Sequence, residues 1–261
     1  MKTVYLNIII LAGLISLACT TRVSEWVLLN ALPNKYTLIY FHNGKITETL
    51  KKQNMAVTQR MRTANIQFKS VTIQDIKNPY WGLFYKDKLL SKYYNPDELR
   101  NLTTSPLREK IAAELMSGKL CVLVYLKSGN KEKDDKGLKT LQNALKSSLF
   151  GKIITVCELS RDSKVEVTFA SLLLKVEDDL KGINEPMIFG IYGRFKALEP
   201  LLGKGISEEN INMMIDYLTS ECSCLIKDDL PGTDILFTDK WDNPQPALLN
   251  KIIDDNLSVA R

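Results

Sequence analysis

The chain has 261 residues, 45% of them hydrophobic and 25% charged, with a mean hydropathy of −0.10, so one large domain or two small ones can each bury a core. Its net charge of +5 is dispersed without a block of like charges, which falls short of a nucleic-acid-binding footprint. His42 is the only histidine, which argues against His-rich metal sites and the usual hydrolase triads. No phosphate-binding glycine loop, paired-carboxylate motif or nucleophile elbow is present.

The chain begins with Met1-Lys2 and an apolar run from Val4 to Leu17, then Ala18-Cys19-Thr20. This is the layout of a secretory signal peptide over residues 1–18, and the run is too short to span a bilayer comfortably. Ser16-Leu17-Ala18-Cys19 resembles a bacterial lipobox, departing from it at Ser16 where Leu is usual. The resemblance implies lipidation of Cys19 and anchoring on the periplasmic face of a bacterial membrane. Simple secretion or a soluble periplasmic form, and an uncleaved anchor, are the alternatives. Residues 19–33 are a linker with a short helix at Glu25–Ala31.

Tyr36–Phe41 (YTLIYF) is a continuous β-branched and aromatic run, the pattern of a buried strand, closed by turn residues His42-Asn43-Gly44. Lys45–Ala64 carries Ile46, Leu50, Val57 and Met61 on one helical face, and Ile66–Ile73 returns to a strand. Strand, helix, strand implies a right-handed βαβ crossover and parallel pairing. After Asn78-Pro79, residues Tyr80–Leu90 supply two strands joined at Lys86-Asp87. Ser105-Pro106 opens a helix with the serine hydroxyl as cap, and Gly118 ends it.

The second half repeats this order. Cys121–Leu126 (CVLVYL) is a buried-type strand, Lys136–Leu149 a helix, Lys152–Leu159 a strand and Val165–Leu180 a further helix. Glu185-Pro186 precedes strands at Met187–Tyr192 and Ala197–Leu202, and Ser207 caps the last helix. LIYFHNG at Leu38–Gly44 answers LVYLKSG at Leu123–Gly129, and Pro79 answers Pro186, which points to an internal duplication.

The segment GINEPMIFGIYGRFKALEPLLGKGISEENINMMIDYL resembles the C-terminal half of thioredoxin-like proteins. The resemblance implies an α/β fold of two tandem thioredoxin-like units, at 34–118 and 119–221, each a central mixed sheet flanked by helices, followed by a tail at 222–261. It also implies a cis peptide bond at Pro186, with Pro79 as its counterpart. The loops that hold Cys-x-x-Cys in that family read HNGKITETLKK and KSGNKEKDDKG here, so nucleophile and resolving thiol are both missing. A non-catalytic peptide- or protein-binding or scaffolding role in the cell envelope follows, with Pro79, Glu185 and Pro186 as the candidate groove, no cofactor and no nucleic-acid partner.

The competing reading uses Cys222-Ser223-Cys224 as a strained redox pair or a Cu(I) ligand pair; against it, each cysteine pairs elsewhere or packs as a small apolar group. Cys121 and Cys157 fall inside buried-type strands and read as buried thiols. Two further expectations are bland ones: His42 as a turn residue with a solvent-facing ring, and Lys131–Lys136 (KEKDDK) as a solvated surface. The aromatic cluster Tyr80, Trp81, Phe84, Tyr85, Tyr93 and Tyr94 reads as alternate core positions, with the remainder available to a contact surface.

Overall fold

A computed structural model describes residues 21–222, 230–238, 241, 244 and 245; the signal segment, Cys19 and Cys224 lie outside the described residues. Helix α1 (Val23–Asn30) comes first, close to the expected 25–31. The first sheet holds β1 (Tyr36–His42), β2 (Ile66–Thr72), β3 (Tyr80–Tyr85) and β4 (Lys88–Tyr93), in the order β2-β1-β3-β4. β1 and β2 are parallel and are linked by α2 (Glu48–Arg60), while β3 runs antiparallel to both β1 and β4. Thr47 caps α2 by accepting from Leu50 N. The β3–β4 turn sits at Lys86-Asp87, both in the left-handed region at φ 45° and 64°, as a tight hairpin requires.

Helix α3 (Pro106–Met116) leads to the second sheet, built from β5 (Cys121–Leu126), β6 (Ile154–Leu159), β7 (Met187–Tyr192), β8 (Lys196–Ala197), β9 (Leu201–Leu202) and β10 (Thr233–Asp234). Its order is β6-β5-β7-β8-β10, with β9 on the same edge of β7 as β8. Helices α4 (Lys131–Ser147), α5 (Val167–Leu173) and α6 (Glu208–Thr219) flank it. Both sheets therefore follow one plan, β-α-β and then an antiparallel hairpin, the thioredoxin-like arrangement expected from the sequence.

The two sheets also share their registers. Tyr40 pairs with Trp81 as Tyr125 pairs with Ile188, and each strand β3 and β7 starts one residue after its proline, Pro79 or Pro186. Two apolar cores wrap the second sheet. One joins α1, α4 and α6 to Cys121, Leu123 and Ile188; the other joins α3 and α5 to Val122, Val124 and Phe189, and continues into Leu38, Tyr40 and Trp81 of the first sheet.

Several elements depart from the sequence reading. The strand expected at 197–202 is split into β8 and β9, because Leu198 N turns back to Gly190 O and Pro200 has no N–H to give. The helix expected over 165–180 is only Val167–Leu173; beyond it Lys175 Nζ reaches across to Leu90 O at 3.0 Å and Ser91 Oγ at 2.7 Å, drawing the chain toward β4. Ser105 does not cap α3; its hydroxyl accepts from Arg108 Nε, and Leu107 N is satisfied by the Glu166 carboxylate at 2.7 Å instead. Helix α3 rests on β5 and β6, not on the sheet that precedes it.

The tail is not a simple appendage. β10 extends the second sheet, with Lys196 and Asp234 forming a buried ion pair at 3.1 Å. Asp234 also accepts from Asn34 Nδ2 at 2.9 Å, while Tyr36 donates to its carbonyl at 2.9 Å. Asn65 Oδ1 accepts from Phe237 N, and Arg108 donates to Leu236 O at 3.1 Å. Residues 233–238 are thus a strap bonded to both halves. Among the described residues no helix is long and apolar enough to cross a membrane.

Candidate functional site

The sequence named Glu185 and Pro186, and the structure puts an open cleft of about 570 Å³ against them. One wall is the first half of α4, through Lys133, Lys136, Gly137 and Thr140; the other is the 202–206 segment. The cleft is basic. Lys133 is paired to Glu185 at 2.5 Å, whereas Lys136 and Lys204 make no ion pair among the described residues.

The peptide bond before Pro186 is trans, as is every described peptide bond, so the cis expectation for Pro186, and for Pro79 with it, is overturned. The carbonyls around this proline are held by specific bonds. Arg161 donates from Nη2 to Ile183 O at 2.9 Å and to Glu185 O at 3.2 Å, and from Nε to Lys127 O, while Pro186 O accepts from Gly203 N. The guanidinium fixes the direction of the carbonyl immediately before the proline.

The loop after β5 stands where the sequence resemblance places the missing Cys-x-x-Cys pair. Asp134, expected on a solvated face, is buried there. Its carboxylate accepts from Ser128 N and Ser128 Oγ, both at 2.8 Å, and from Gly129 N at 3.1 Å. Asn130 caps α4 by accepting from Lys133 N, and the Tyr125 hydroxyl donates to Asp134 O at 2.8 Å. Gly137 makes that last contact possible, since a β-carbon there would run into the Tyr125 hydroxyl. A carboxylate thus already occupies the Ser128 and Gly129 amides, and the loop is closed from within by its own side chain. The only sequence sign is that Asp134, the first of two adjacent acids, lies one helical turn from Asn130, in a run that reads as surface charge.

The matching loop of the first half is also closed from within. His42 is 6% exposed, not solvent-facing: its Nδ1 accepts from Gly44 N at 3.0 Å and its Nε2 lies 3.0 Å from Ser70 Oγ. With Nδ1 accepting, the proton sits on Nε2 and is donated to Ser70. The ring stacks on Tyr40 at 5.5 Å, which pulls it off the solvent. Pro79 is half-buried and lines no cavity described with Pro186. A separate apolar cleft of about 410 Å³ opens between α2 and the first sheet, walled by Tyr40, Phe68 and Trp81.

The cysteines lie elsewhere. Cys121 is buried and its thiol is pushed up to about 12 by burial; burial also raises Cys157, with Lys110 opposing. Cys222 is buried in the core of the second sheet, away from the Pro186 cleft. Cys224 lies outside the described residues, so the structure says nothing of a Cys222–Cys224 pair. Among the described residues no group of three His, Cys, Asp or Glu is arranged to hold a metal ion.

No protein-family model matches the chain, and no curated protein matches it. Similar solved structures include the human ERp44 zinc-bound form, with a TM-score of 0.26 and 11% identity, covering 77% of this chain and 60% of that one. They also include the first two thioredoxin domains of Naumovozyma dairenensis Eps1p, with a TM-score of 0.25 and 13% identity, covering 78% of this chain and 97% of that one. The chain therefore spans about 60% of the length of ERp44. Likeness at this level adds no weight to the strand order already described.

Proposed function

We propose that this is an exported, lipid-anchored binding module of the cell envelope that takes an extended peptide or protein segment in the Pro186 cleft and performs no dithiol chemistry. The observation that carries the reading is Asp134: its carboxylate fills the loop in which a thiolate would have to sit, directly beside an open cleft. The edge of that cleft offers Lys136 and Lys204, which make no ion pair among the described residues, as cations for an acidic or carbonyl-rich segment. Anchoring is supported by the Ser16-Leu17-Ala18-Cys19 sequence, which would put the partner in the envelope.

A peptide library selected on the chain lacking its signal segment tests the reading. Enriched peptides should bind the parent and lose binding to Thr140→Trp, whose indole fills the cleft. An empty selection, or binding indifferent to Thr140→Trp, removes the proposal, as does reduction of insulin disulfides by the chain. For the anchor, the mass of the mature N-terminus should show acyl chains on Cys19, and Cys19→Ala should release the protein from membranes.

A further inference from the structure

The second sheet shows what covers this strand arrangement when the fold is complete. Val124, Leu126, Met187 and Phe189 are all fully buried, in one core with α3 and α5. In the first sheet the shared registers put Ile39, Phe41, Tyr80 and Gly82 at the same four positions. There, however, residues 73–79 join β2 to β3 without a helix, and α3 has gone to the other sheet. Ile39, Phe41, Tyr80 and Phe84 consequently belong to neither apolar core.

The open face is aromatic and bordered by positive charge. Phe41 lies 5.0 Å from Tyr80 and 6.2 Å from Phe84, and both phenyl rings lean over Gly82, where a β-carbon would meet them at 3.1 and 2.8 Å. Val71, Leu89 and Tyr94 are 37%, 39% and 62% exposed. No acidic residue occurs in any of the four strands. Lys69 stands on β2 at one border, and Lys92 on β4 at the other, its ammonium 5.0 Å from the Tyr80 ring centre. Four strands at about 4.8 Å spacing put these lysine rows about 14 Å apart, and an α-helix with its side chains is about 10–12 Å across.

We propose that this face is the seat of an amphipathic helix supplied by a partner protein, with an apolar stripe against Phe41, Tyr80 and Phe84 and acidic residues on both flanks against Lys69 and Lys92. The chain itself provides the precedent, because the equivalent face of the second sheet is covered by helices. Charge selects among helices: α5 carries no carboxylate in its Val167–Leu173 span, so a neutral helix suffices over a buried wall, whereas a lysine-bordered face favours an acidic one. This surface is distinct from the Pro186 cleft and does not depend on it.

The test uses a fluorescein-labelled 18-residue helical peptide with a Leu/Ile stripe and glutamate flanks, titrated into the full signal-free chain and followed by anisotropy. Binding should weaken about tenfold or more in the Lys69→Glu/Lys92→Glu variant and with added salt. That variant should instead accept the same peptide with lysine flanks, a swap that misfolding could not produce. Thr140→Trp should leave the titration unchanged, which separates this site from the cleft. The proposal is overturned if the glutamate peptide does not bind, if the charge swap fails, if the chain dimerises through this face in place of binding, or if it prefers phosphatidylglycerol vesicles to the peptide.

Discussion

The two sheets carry the same strands in the same registers, yet one is walled on both faces and the other on one. Leu126 and Phe41 occupy matching positions, opposite Met187 and Tyr80, but Leu126 is fully buried and Phe41 only partly. The strands themselves do not decide this. The difference comes from the connection before β3 or β7, which contains α5 in one half and only the 73–79 turn in the other. Side chains follow suit: Cys157 lies on β6 where Lys69 lies on β2. Loss of one crossover helix thus converts a core wall into a surface without disturbing the sheet.

The comparison breaks most readily at the seam between the halves. Arg108 is 0% exposed and donates to Asn101 O, Leu102 O, Thr104 O and Leu236 O. Burial lowers it to about 10, opposed chiefly by Glu166, so it stays charged at neutral pH. Arg108→Ala should cost about 3–5 kcal/mol in urea unfolding, because it orphans buried carbonyls and leaves Glu166 without its counter-charge. Only a small loss would mean the halves hold together without the strap.

Matched truncations sharpen the contrast between the two faces. Leu126→Ala should cost about 2–5 kcal/mol through cavity formation, and Phe41→Ala about 1 kcal/mol, mainly lost ring contacts. Equal losses would mean the first sheet is covered after all. The two closed loops come next: Asp134→Ala should cost about 1–3 kcal/mol by leaving the Ser128 and Gly129 amides unsatisfied, and His42→Ala about 1 kcal/mol, measured by thermal unfolding.

The smallest effect belongs to Glu177, in the segment after α5. Burial raises its carboxyl above the usual range, and Glu199 and Asp179 add to the shift. A carboxyl raised in the folded state favours the protonated form, so its stabilising share is present below an unfolded value of about 4.3 and is lost as pH rises through the folded one. Glu177→Gln should therefore stabilise the chain at pH 7, by about 0.3 kcal/mol once solvent screening is counted, and the gain should vanish below about pH 4. A gain that persists in acid would point to packing instead of charge.

Period and composition made the strands legible. Tyr36–Phe41, Cys121–Leu126 and Met187–Tyr192 stand out as unbroken β-branched and aromatic runs, and the prolines marked the start of the third strand in each half. Buried polar work stayed hidden. Asp134 sits among exposed charges in sequence, and only the fold of the Ser128-Gly129 loop turns its carboxylate inward. His42 reads as a solvent-facing turn residue for a similar reason, since its partner Ser70 is far along the chain. The strap includes Ile235-Leu236-Phe237, an apolar triplet between Asp234 and Thr238, but nothing local says that it would bond both halves. The bonds that hold the carbonyls of Ile183 and Glu185 come from Arg161, a residue no local pattern connects to that turn.

The strap also orders events in time. Asp234 and Leu236 leave the ribosome after every strand of the first sheet and all but the outermost of the second, and both bond residues placed long before them. A nascent chain can wind each sheet early, yet the joint between them cannot lock until Leu236 has emerged. Until that fastening arrives, the two sheets are joined only by contacts made earlier in the chain, and their mutual setting is the last feature of the fold to be fixed.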